Sequence, residues 1–230
     1  MATLPSGTVT FVFSDIEGST ALVKRLGDRY GDVLADHRRL MRDALGDRGG
    51  VEIDTQGDAF FFAFARARDA VEASVDAQRA HAEHAWPEGV DVRMRMGLHT
   101  GEPAVGEEGY HGLDVVRAAR LCSAAAGGSV LLSETTRALV GSAVPDGVAV
   151  HPVGERRLKD LDEPERVYEL EIEGVETSEP PAQAPSVAGS AIEQQAEDLA
   201  RRMSDRIEAE VMRSLERSLG GGDRDAETGR

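Results

Sequence analysis

The chain has 230 residues, 40% of them hydrophobic and 30% charged, with a formal net charge of -16. That length and apolar content suit one domain of ordinary size plus an extension. The acidity argues against a duplex nucleic-acid binder and against attachment to anionic membranes, since both need a basic surface. A nucleotide is not excluded, because a metal ion can carry its phosphates. One cysteine, Cys122, cannot form an internal disulfide, which points to a reducing compartment. It lies in the Ala-rich stretch "RAARLCSAAAGG" and reads as a small buried residue. The first residues lack the basic-then-apolar order of a leader, and no apolar run is long enough to span a bilayer. The expectation is a cytoplasmic protein with no membrane span and no nucleic-acid partner.

Residues 8–14 alternate and then run apolar, as a strand does. Residues 18–46 place Leu22, Val23, Leu26, Tyr30, Val33, Leu34, His37, Leu40, Met41 and Leu45 at helical spacing, and Gly49-Gly50 stops that helix. "VEIDTQGDAFFFAF" reads as two strands around a Gln56-Gly57-Asp58 turn. Residues 66–84 return to helix, and His81 and His84 on it are expected to be solvated. Val90, Val92, Met94, Met96 and Leu98 alternate as a half-buried strand, with His99 in a structural role at its end. Residues 112–125 are helical, "SVLLS" is a short strand, 134–141 a short helix, and "VAVHPVGERRL" and "RVYELEI" are strands. The order predicts an α+β fold: a ferredoxin-like βαββαβ core, helices on one face, with further α/β elements after it. The domain is expected to span 1–172. Pro, Ser and Glu at 173–189 suggest a disordered linker, 190–219 an amphipathic helix seeking a protein partner, and 220–230 a disordered tail.

Asp15 ends the first predicted strand and Asp58 sits in the hairpin turn. In a ferredoxin-like sheet these strands are neighbours, so the two carboxylates can meet at one edge. Two such charges repel unless a cation lies between them, and a hard divalent ion is the natural partner. Gly18-Ser19-Thr20 then open a helix, whose free N–H groups and positive dipole end attract phosphate. Taken singly, the first motif also reads as a helix cap and the second as a plain turn. Taken together they describe a metal-dependent nucleoside triphosphate site.

The sequence resembles the class III adenylate/guanylate cyclase catalytic domain family. "FSDIEGST" is similar to its first metal motif, "TQGDAFFFAF" to its second and "VRMRMGLHTGEP" to its central strand. "GYHGLDVVRAARLCSAAAGGSVLLS" is similar to its dimerisation and transition-state segment. The resemblance implies a homodimer with active sites at the interface, making a 3′,5′-cyclic nucleotide and pyrophosphate. It implies that Asp15, Asp58 and the Ile16 carbonyl hold two Mg²⁺ or Mn²⁺ ions. Arg120 would stabilise the phosphoryl group in flight from across the dimer, and Lys159 would bind the triphosphate. Three positions depart from the family: Val116 stands for the ribose-binding asparagine, and Asp54 and Gly109 stand for the base-reading residues. Asp54 can only accept hydrogen bonds, which suits a base presenting N–H groups. These departures leave open a cyclase of altered base choice (guanine or pyrimidine) or a silent, cyclase-like binding module.

Overall fold

Strand β1 (Val9–Ile16) runs through the middle of the molecule, buried along its whole length. In the computed structural model, which describes residues 4–179 except 88, 107 and 108, β1 pairs antiparallel with β3 (Ala59–Phe64) on one side and β4 (Met94–Gly101) on the other. β2 (Val51–Gln56) forms the edge beyond β3. Past β4 come β7 (Val130–Ser133), β9 (Glu165–Ile172) and β8 (Val148–Arg156), giving the order β2-β3-β1-β4-β7-β9-β8. The first four strands have the expected ferredoxin-like order. Among the described residues only β4 and β7 pair in parallel.

All six phenylalanines of the chain lie on β1 and β3, each at most 2% exposed. Because alternate residues point to opposite faces, they serve two cores. Phe11, Phe13 and Phe61 face α4 (Leu113–Ala124), while Phe60, Phe62 and Phe64 face α2 (Tyr30–Asp47) and α3 (Ala67–Glu83). Phe13 stacks on Phe61, its register partner, at 4.4 Å. At about 1.5–3 kcal/mol for each buried large side chain, these two strands are firmly held; β1 carries Asp15, and β3 leads out of the turn that holds Asp58.

Two expectations are corrected and one hairpin is new. Within the βαββαβ unit α2 and α3 share one face as expected, joined there by the short α5 (Glu134–Val140), while α4, which follows that unit, covers the other face. Gly97 allows this, since a Cβ there would lie 2.1 Å from the Cys122 backbone nitrogen, so α4 rests directly on β4. The helix at 18–46 is two, α1 (Ser19–Leu26) and α2, divided by a 3-10 turn at Gly27–Arg29 where Gly27 takes φ 54°. Val90 and Val92 are not in the strand. They alternate because they pack, off the sheet, with Ile16, Leu22 and Val33. A small hairpin, β5 (Ala104–Gly106) with β6 (Gly109–His111), precedes α4 and has no strand-like run in the sequence.

Residues 173–179, expected to begin the linker, lie against the domain: Val175 packs on the core, and the Ser178 N–H donates to Gly127 O at 2.9 Å. The rest of that linker, the helix expected at 190–219 and the tail at 220–230 lie outside the described residues. Among the described residues no helix is long and apolar enough to cross a membrane.

Candidate active site

The antiparallel register places Asp15 opposite Arg95 of β4. Asp15 is 3% exposed, and Arg95 meets it with two donors, Nε to Oδ1 at 2.7 Å and Nη2 to Oδ2. Burial pushes the Asp15 carboxyl up to about 6, against the pull of Arg95, and the Asp58 charge pushes the same way as burial. Asp58 follows Gly57 (φ 61°) in the β2–β3 turn. Its Oδ2 accepts from the Ile16 N–H at 3.0 Å. The two carboxylates expected to meet are thus brought to consecutive residues at one end of β1.

That turn is held from beneath by α2. Arg38 donates from Nε and Nη2 to Gly57 O, at 3.0 and 2.6 Å. His37, fully buried, donates from Nε2 to Asp58 O at 2.9 Å, since a carbonyl can only accept. Behind it lies His81, packed edge-on with ring centroids 5.1 Å apart, whose own Nδ1 donates to Ala77 O. The expectation that His81 is solvated is wrong. It is 2% exposed, and burial pushes its pKa down to about 3. His84 is half-buried against Trp86 and Asp36. His99 is structural as expected, bonded to Ser133 and Asp114.

Gly18 caps α1 in the left-handed conformation (φ 65°), with no side chain bonded to the helix start. The first N–H groups of α1, at Ser19 and Thr20, therefore lie free of a side-chain cap beside Asp15 and Ile16. Glu17 does not cap them either. It accepts from the Gly127 N–H at 3.0 Å and from the Ser178 hydroxyl at 2.9 Å.

The remaining expected residues lie elsewhere. Arg120 on α4 is 6% exposed and turned toward Asp160, in the β8–β9 loop that also holds Lys159. Its Nε and Nη1 have no hydrogen-bond partner among the described residues. Val116, 7% exposed, sits one turn earlier on the same helix. Asp54 is on edge strand β2, accepting from the Thr55 N–H and the Gln56 amide. Gly109 opens β6 at φ 113°.

Among the described residues no cluster of three or more His, Cys, Asp or Glu could hold a metal on its own. Two carboxylates and a backbone carbonyl still suit Mg²⁺ or Mn²⁺. Such ions take few carboxylates and complete their shell with substrate phosphate and water. A buried carboxyl raised to about 6 is also one that an added positive charge would favour. The donor set therefore fits the implied metal. The sequence did not flag Arg95, Asp160, Glu17, His37 or Arg38 for the site.

The sequence model described as "Adenylate and Guanylate cyclase catalytic domain" matches residues 1–171. The chain belongs to that family. The cyclase domain is 35% identical over 168 residues to an uncharacterized protein of Mycobacterium tuberculosis, covering 72% of this chain and 56% of that one. It thus spans about half the length of the mycobacterial relatives it matches. Among solved structures, it is similar to a Trypanosoma brucei adenylate cyclase described in its monomeric state: TM-score 0.66, 27% identity, 74% of this chain and 91% of that one. It is also similar to the adenylyl cyclase CyaB of P. aeruginosa, with TM-score 0.57, 26% identity, and 72% and 94% of the two chains covered. The cyclase domain thus has the fold of its family, in which nucleotide cyclase activity is the family's chemistry.

Proposed function

We propose that this cyclase domain converts a nucleoside triphosphate into a 3′,5′-cyclic nucleotide and pyrophosphate, using Mg²⁺ or Mn²⁺ in a homodimer, in the cytoplasm. One observation carries the reading: Asp15 and Asp58 converge at the end of β1, linked through the Ile16 N–H, beside the open start of α1. Asp15, Asp58 and the Ile16 carbonyl would hold two divalent ions. When bound, such ions would acidify the ribose 3′-hydroxyl and neutralise the leaving pyrophosphate. Gly18, Ser19 and Thr20 would receive the phosphates on backbone N–H groups. Lys159 would add a cation to the triphosphate. Arg120, with N–H capacity left over on Nε and Nη1, would stabilise charge on the phosphoryl group in the partner subunit's site.

A second reading is an altered base choice or a silent binding module. Val116 is buried and cannot hydrogen-bond a ribose, and the Asp54 carboxylate already accepts two hydrogen bonds. The test is the purified chain incubated with each nucleoside triphosphate and Mn²⁺ or Mg²⁺, products resolved by mass. A cyclic product lost in Asp15→Ala and in Asp58→Ala is expected. A product that survives either substitution would remove the metal-pair reading, and no cyclic product from any base would leave the binding module.

A further inference from the structure

We infer that Arg38 and His37 are positioning residues for Asp58, so that helix α2, which contributes no ligand, sets the metal affinity of the site. The inference rests on the metal reading above. Asp58 lies in a turn with little support of its own. β2 is an edge strand, and its register with β3 slips between Glu52 and Asp54. A turn at a sheet end has carbonyls that no ladder satisfies. Here two consecutive carbonyls are taken by two consecutive residues of one helix: Gly57 O by both donors of the Arg38 fork, Asp58 O by His37 Nε2. A guanidinium fork fixes direction as well as distance. His37 packs edge-on against His81, whose Nδ1 donates to Ala77 O on α3. The chain of contacts therefore runs from α3 through α2 to the turn, and ends with Asp58 Oδ2 at the Ile16 N–H.

The neighbouring arginines on α2 do other work. Arg39 pairs with Asp36 and Asp43, and Arg42 pairs with Glu52. Of the α2 side chains, Arg38 and His37 are the ones bonded to the turn. Partners that orient a metal ligand commonly contribute 10- to 100-fold in affinity. A half-buried arginine on one carbonyl belongs at about the lower end of that range.

The test uses Mn²⁺ alone, titrated into the full chain and followed by electron paramagnetic resonance, with thermal melts run without metal. Arg38→Ala is expected to weaken Mn²⁺ binding about 10-fold while melting close to wild type. Arg38→Lys should fall between them, and Arg39→Ala should bind as wild type does. His37→Gln keeps a donor for the Asp58 carbonyl, whereas His37→Phe fills the space without one; Gln should retain more Mn²⁺ affinity than Phe at matched stability. Unchanged affinity in Arg38→Ala, or equal affinity in the two His37 variants, would overturn the inference and leave the metal reading standing. A wild-type chain that binds no Mn²⁺, or binds it undiminished in Asp58→Ala, would overturn the metal reading and this inference with it.

Discussion

Asp15 and Arg95 are a buried pair whose two members arrive from strands 80 residues apart in sequence. Such a pair adds little over an apolar one, but removing one member leaves a charge stranded. Arg95→Ala should therefore cost about 3–5 kcal/mol in a urea titration, and Asp15→Asn in the same chain should recover much of the loss. His81 gives the pH dependence. Its folded pKa of about 3 lies below the ordinary 6.5, so between those values the unfolded chain binds the proton that the native chain refuses. Stability from this group is complete above pH 6.5 and falls as pH drops toward 3. Thermal melts from pH 7 to 4 should show that decline, with a shallower slope in His81→Gln. At this scale the sequence singled out Asp15 and Asp58 as candidates, because their spacing from strand ends and small residues is local. It could not reveal Arg95, His37 or Arg38, because each acts on a residue made its neighbour only by register or helix packing.

Elements were read where periodicity is strong and misread where burial imitates it. The βαββαβ order follows from alternation and helical spacing, and it survived. Val90 and Val92 alternate like a strand but are loop residues, half-buried and buried respectively. The split between α1 and α2 rests on Gly27 alone, inside an otherwise continuous apolar stripe. The side of the sheet taken by α4 was hidden for a different reason: it depends on Gly97 lacking a side chain opposite Phe13. Gly97→Ala would put a methyl within 2.1 Å of the Cys122 nitrogen and 2.6 Å of Ala118 O, both backbone atoms that cannot swing aside. We expect it to destabilise the domain by roughly 1–3 kcal/mol, as overpacking does. Because α4 also carries Arg120, its displacement should lower turnover more than nucleotide binding. Chemical denaturation and steady-state kinetics on the same preparation would show both effects.

At the scale of the whole molecule, the proposed chemistry needs two chains, while Arg120 is turned inward against its own Asp160. Mixing inactive Asp58→Ala with inactive Arg120→Ala decides whether one chain completes the other's site. If it does, random re-pairing restores roughly a quarter of the wild-type activity, since a closed two-fold dimer has two equivalent sites. Heterodimers that form and stay inactive would place Arg120 in a single-chain role. The segment 173–179 bears on a further question, that of leverage. The chain leaves the sheet at Ile172 but is not released there. Beyond the Glu173 and Val175 contacts it is tied at Ser178, whose hydroxyl donates to Glu17 and whose N–H donates to Gly127 O. Glu17 immediately precedes Gly18, the hinge-like start of α1. A force or rotation applied to the chain beyond residue 179 would thus be delivered to the lip of the proposed nucleotide site, not to the far margin of the sheet. Cutting after Ile172 instead of after Glu179 should change nucleotide affinity more than melting temperature, so that a tether fused at this end of the domain works as a throttle on the turn where the phosphates would enter.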